Sequence, residues 1–140
     1  MKLEFISEEH EAFFLTSPTR FNFYPGDIER LSMFYVLGLM PELRNSVSAL
    51  YDAEQGLIIP EGLNDGFQTS GSKALTLLAF SLFNNFQEKK LRYPYRDPDD
   101  SSNFEYYSYP SLLNIFAPLD RSFFKYMYMA IDFRFGNIQL

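Results

Sequence analysis

The sequence predicts a mainly α fold, with five or six helices in one globular domain spanning residues 1–140 and at most a small β-hairpin. Three observations predict it. Large apolar residues recur at helical spacing in several separate segments. Ser, Thr or Asp precedes most of those segments, where a helix needs side-chain acceptors for its first free N–H groups. Only one short run, Leu57 to Ile59, has the β-branched composition of a strand. A length of 140 residues fits one core, and 16 Phe with 10 Tyr make that core aromatic.

The elements follow in chain order. Ser7 before Glu8, Glu9 and Glu11 reads as an N-cap with carboxylates at the positive end of a helix dipole, and Phe13, Phe14 and Leu15 supply the apolar side. The stretch SPTRFNFYPG is expected to break this first helix. Asp27 opens a second, with Ile28, Leu31, Phe34, Tyr35 and Leu39 at helical spacing, ending near Gly38 to Pro41. Pro41 suits the first turn of a third helix, expected to carry a stripe of Leu43, Val47, Leu50 and Tyr51.

The segment YDAEQGLIIPEGLNDG holds a Gln-Gly turn before Leu57 to Ile59 and reads as a small hairpin or one extended piece. Residues 70–86 form the clearest helix, apolar at Leu75, Leu78, Ala79, Leu82, Phe83 and Phe86. Residues 87–110 carry three prolines, five tyrosines and mixed charge, and read as a long tyrosine-rich loop. SLLNIFAPL supports a short helix. Asp120 then caps the last one, which Gly136 closes; its stripe is expected to be Phe123, Phe124, Met127, Tyr128, Ile131 and Phe135. Because Tyr126, Met129 and Phe133 make its other faces apolar too, residues 120–135 belong either to the core or to a homo-oligomer interface. Leu78 and Ile131 are expected in the core.

Net charge is −6, divided into −7 over residues 1–65 and +1 over residues 66–140. A phosphate backbone needs a basic footprint, so direct nucleic-acid binding is disfavoured and a protein partner favoured. No apolar run reaches the roughly 18 to 20 residues of a membrane span, and the start of the chain turns acidic before any signal-like stretch, which reads as soluble and cytoplasmic. The chain has no Cys, which removes disulfides and thiolate chemistry.

The stretch GFQTSGSK, residues 66–73, invites two catalytic readings. A phosphate-binding loop needs Gly-Lys-Ser/Thr, whereas here Ser72 and Lys73 are transposed, and one position rotates a side chain by about 100° around a helix. Ser70 and Lys73 also match S-x-x-K, but the S-D-N and K-T-G partners of the penicillin-recognising enzymes do not occur. The simplest reading is a helix start capped by Thr69 or Ser70. A small-ligand or nucleotide site built from Phe67, Gln68, Thr69, Ser70 and Lys73 is the alternative.

His10, the one histidine, sits among glutamates without a second nitrogen ligand and reads as a surface residue. Asp97, Asp99 and Asp100 lack the central Gly and terminal Glu of a calcium loop and read as solvated. No metal or cofactor is expected, and the missing catalytic sets argue against an enzyme. Tyr93, Tyr95, Arg96, Tyr106, Tyr107 and Tyr109 combine the two residue types that dominate binding hot spots, and form the candidate partner surface unless their rings merely cover the core.

FISEEHEAFF, YDAEQGLIIPEGL, GFQTSG, LAFSLFN and the closing FRFG resemble an uncharacterised family of small bacterial and phage-associated proteins. The resemblance carries no catalytic motif. It implies a mobile-element setting, in which small acidic proteins act by binding a host protein such as a nuclease or defence effector. The expected function is therefore inhibition or modulation of such a protein by direct contact.

Overall fold

The structure is a computed structural model that describes residues 2–91 and 105–140, the side chains of Leu91, Glu105 and Tyr106 excepted. Six α-helices are present among the described residues: α1 (Glu8–Arg20), α2 (Ile28–Leu37), α3 (Pro41–Arg44), α4 (Ser70–Asn84), α5 (Leu112–Phe116) and α6 (Phe124–Arg134). Two antiparallel hairpins join them. β1 (Tyr51–Asp52) pairs with β2 (Leu57–Ile58), and β3 (Glu88–Leu91) pairs with β4 (Glu105–Ser108). The fold is mainly α, as expected, with a second hairpin beside the anticipated one.

α2 is the centre of the fold, packed against α1, α4 and α6. Every residue from Leu31 to Leu37 is buried, which suits a helix that is apolar nearly all round. Its one small polar residue there, Ser32, returns its hydroxyl to the Ile28 carbonyl at 2.7 Å. Phe34 stacks with Phe21 and Phe23, at 4.7 and 5.4 Å between ring centres, and meets Tyr51 edge-on. Phe34, fully buried, contributes roughly 1.5–3 kcal/mol by leaving water, and the half-buried Phe21 and Phe23 contribute less.

α1 continues through Pro18 to Arg20, where a break was expected. Proline removes the N–H that would bond the Phe14 carbonyl. The Ser17 hydroxyl, fully buried, donates to that carbonyl at 2.7 Å instead. The helix therefore keeps its acceptor satisfied across the proline, and Asn22, in the left-handed region at φ 58°, turns the chain just beyond it.

The third helix is shorter than its stripe implied. After Pro41–Arg44 the chain makes a 3₁₀ turn at Val47–Ala49, and Tyr51 enters β1. Leu43, Val47, Leu50 and Tyr51 are buried all the same, since a tight turn can present them to one core. At the hairpin tip Asp52 accepts from the Glu54 and Gln55 N–H groups, and Gly56 adopts φ 72°.

The last helix presents a different face from the expected stripe. Asp120 caps a 3₁₀ turn over Arg121–Phe123, its carboxylate accepting from the Ser122 N–H at 2.8 Å, and α6 starts after it. Met127, Met129, Ala130 and Phe133 face the core, Ile131 is half-buried, and Tyr128 and Phe135 are exposed. Residues apolar on every side leave periodicity without a phase, so packing against α2 chose the face. Arg134 anchors the end of α6 by donating from Nε to the Leu82 carbonyl at 2.7 Å.

Candidate functional site

The turn at residues 66–73 resolves into two sets of side chains. Thr69 is the N-cap of α4 and forms a reciprocal capping box with Ser72: the Ser72 N–H donates to Thr69 Oγ1 at 3.1 Å and the Thr69 N–H to Ser72 Oγ at 2.8 Å. Gln68 lies behind them. Its Oε1 accepts from Ser72 Oγ at 2.6 Å, while Nε2 reaches the Gly62 carbonyl and Thr76 Oγ1, both at 3.2 Å. These groups hold the α4 start to the preceding loop, and Phe67 packs half-buried against the core. The close fit at Gly62, where a Cβ would collide with the Ala49 carbonyl oxygen, completes that joint.

Ser70 and Lys73 point elsewhere. They line a cavity of about 360 Å³ bounded by α4, β3 and α5, together with Ala74, Leu77, Glu88, Lys90, Leu113, Asn114 and Pro118. Lys73 Nζ stands 3.5 Å from Glu88 Oε1, and Lys90 Nζ stands 4.0 Å from Glu88 Oε2. The five residues proposed for a ligand therefore do not converge, since three are spent on the joint and two open into this concavity. Glu88 and Lys90 gave no signal in the sequence, because their role depends on a strand that runs past α4.

The tyrosine group is divided as well. Tyr93, Tyr95 and Arg96, like Asp97, Asp99 and Asp100, lie outside the described residues. Tyr106 stands in β4 opposite Lys90, and Tyr107 opposite Lys89, so the ends of the anticipated loop are paired strands. Tyr107 is 64% exposed and Tyr109 57%. β4 leads through Pro110 into α5, where Leu112 and Leu113 are 74% and 77% exposed. Phe116 on α5 then stacks on Tyr128 of α6, with ring centres 5.5 Å apart. α5 and α6 thus meet through an aromatic pair; exposed Leu112, Leu113 and Tyr128, which the sequence did not single out as a partner surface, lie on these two helices, and exposed Tyr107 and Tyr109 come just before α5 in the chain.

His10 is the clearest correction. It is fully buried, with Nε2 donating to the Tyr35 carbonyl at 2.7 Å and Nδ1 accepting from the Ile6 N–H at 3.1 Å. Since Nδ1 must accept, the proton sits on Nε2 and the ring is neutral. Burial pushes its pKa down to about 4, against the pull of the Tyr35 carbonyl and with help from the Arg44 guanidinium. With both nitrogens engaged, His10 is a structural joint between the N-terminal segment and α2. The signal was present: His10, Phe13, Phe14 and Ser17 form an i, i+3, i+4, i+7 stripe, and all four are buried.

Among the described residues no helix is long and apolar enough to cross a membrane, and no group of three His, Asp or Glu side chains is placed to hold a metal ion. A family model described as "Family of unknown function (DUF6075)" matches residues 1–139. The chain belongs to DUF6075. No curated protein and no solved structure matches it. The DUF6075 match runs through both hairpins and all six helices, so the joint at His10, the α4 cap and the exposed aromatic surface all lie within the family's span.

Proposed function

We propose that the protein acts by protein–protein contact, through the surface formed by Tyr107, Tyr109, Leu112, Leu113 and Tyr128. The observation that carries this reading is the exposure of all five, each more than half open to solvent in adjoining elements. Grouped apolar exposure of this kind marks interaction sites more often than scattered single residues do. Tyrosine suits such a face because its ring buries area on binding and its hydroxyl stays solvated when free. The partner class is a host protein such as a nuclease or defence effector, in the mobile-element setting that the sequence resemblance implies. The acidic excess lies in residues 1–65, whereas this surface belongs to the second half of the chain, so aromatic and aliphatic contact is the main attraction.

The test is affinity capture from host lysate with the intact protein and with a Tyr107→Ala/Tyr109→Ala/Leu113→Ala variant. Hot-spot removal should weaken capture of a stoichiometric partner by tenfold or more, on the order expected for a few buried anchors, with the melting temperature unchanged. Equal capture by both proteins would sink the proposal. A second reading, self-association through residues 120–135, rests on the exposure of Tyr128 on α6 and of Phe135 at its C-terminal cap. A monomeric mass at every concentration excludes it.

A further inference from the structure

We propose that the cavity between α4, β3 and α5 is an anion site that takes a carboxylate carried on a short apolar stem. Two ammonium groups, Lys73 and Lys90, share one carboxylate, Glu88, whose side chain is only 16% exposed. Their separations of 3.5 and 4.0 Å are longer than the roughly 2.7–2.9 Å of a formed charge-assisted hydrogen bond. Among the described residues of the cavity one carboxylate stands between two cations, and the Lys73 and Lys90 side chains are 36% and 31% exposed, open to a further anion. A second carboxylate entering between them would pair with both. The floor is apolar: Ala74 and Leu77 of α4 are buried beneath, and Leu113 forms an exposed wall. A bare inorganic anion leaves that floor wet, while an aliphatic stem of a few carbons covers it. The site adjoins the docking surface proposed above and shares Leu113 with it, but its two ammonium groups, Lys73 and Lys90, lie outside that surface, so the titration below tests it separately. Its carboxylate could belong to a free short-chain acid or to an acidic side chain of a partner, and the chemistry of capture is the same.

The experiment is an NMR titration of the whole protein with butyrate, with acetate as the short-stem comparison and Lys125→Gln, remote on α6, as the variant control. Butyrate should bind saturably at millimolar concentration, shifting the amides of Lys73, Leu77, Lys90 and Leu113, and should bind roughly tenfold tighter than acetate because its stem has two more methylenes to bury. Lys73→Gln or Lys90→Gln should weaken binding severalfold, and Lys125→Gln should not. Glu88→Gln should tighten it, since it removes the resident carboxylate and leaves two uncompensated cations. Butyrate that displaces a captured partner assigns the cavity to that partner's acidic side chain; butyrate that binds without displacing it assigns the cavity to a free acid. Absence of saturable shifts in both the wild type and Glu88→Gln, or weaker binding by Glu88→Gln, overturns the proposal.

Discussion

The imidazole of His10 donates from Nε2 to the Tyr35 carbonyl at 2.7 Å, and this bond ties α1 to the most buried helix of the protein. The Tyr35 hydroxyl in turn donates to the Glu4 carbonyl at 2.6 Å, so residues 4–10 are held to α2 from both sides. Gly38 is required nearby, because a Cβ there would meet the His10 and Phe13 rings at 2.7 and 2.9 Å.

Stability should therefore depend on pH. The folded pKa of His10, about 4, lies below the ordinary value of 6.5, so the unfolded chain binds the extra proton first. The contribution is fully present above 6.5 and is lost as pH falls from 6.5 through about 4, by roughly 3 kcal/mol at 1.36 kcal/mol per unit. Denaturant unfolding across that range, in wild type and His10→Gln, measures it. The variant should be less stable at neutral pH and show a flatter profile; parallel profiles would remove His10 as the cause.

Ser17 and Pro18 should prove coupled. Ser17→Ala leaves the Phe14 carbonyl buried without a donor and should cost about 1–3 kcal/mol. In a Pro18→Ala background the restored N–H can bond that carbonyl, and the same change should cost much less. A double-mutant cycle by urea unfolding reads the difference.

Ser72→Ala should be costly although the position looks like an ordinary helix surface in the sequence. It strands Gln68 Oε1 and the Thr69 N–H together, for a loss of about 2 kcal/mol. Amide exchange should report opening of residues 62–72 before the rest of the fold. Global unfolding with uniform exchange would contradict this account of the joint.

Leu78 and Ile131 should no longer behave alike. Leu78 is buried on α4, whereas Ile131 is half-buried on α6. Leu78→Asn should unfold the protein by placing an unpartnered amide in the core, while Ile131→Asn should leave it folded with a loss of about 1–2 kcal/mol. Circular dichroism melts separate the two outcomes.

Local chemistry was legible wherever neighbouring residues decide the structure. Ser7, Asp27 and Thr69 cap α1, α2 and α4, Pro41 opens α3, and Gly56 turns the first hairpin, each through bonds or backbone angles spanning a few positions. The mainly α class and the family followed from the sequence as well. Tertiary structure alone decided which face of α6 is inside, because a helix apolar all round carries no phase of its own. The stripe of His10, Phe13, Phe14 and Ser17 marks a shared face for His10, but tertiary structure alone supplied its partner, the Tyr35 carbonyl 25 residues away. It also brought Glu88 and Lys90 beside Lys73, and set Tyr107, Leu113 and Tyr128 on the outside. Periodicity reports that a residue shares a face with its neighbours along the chain, but only the packing of distant elements determines what that face meets.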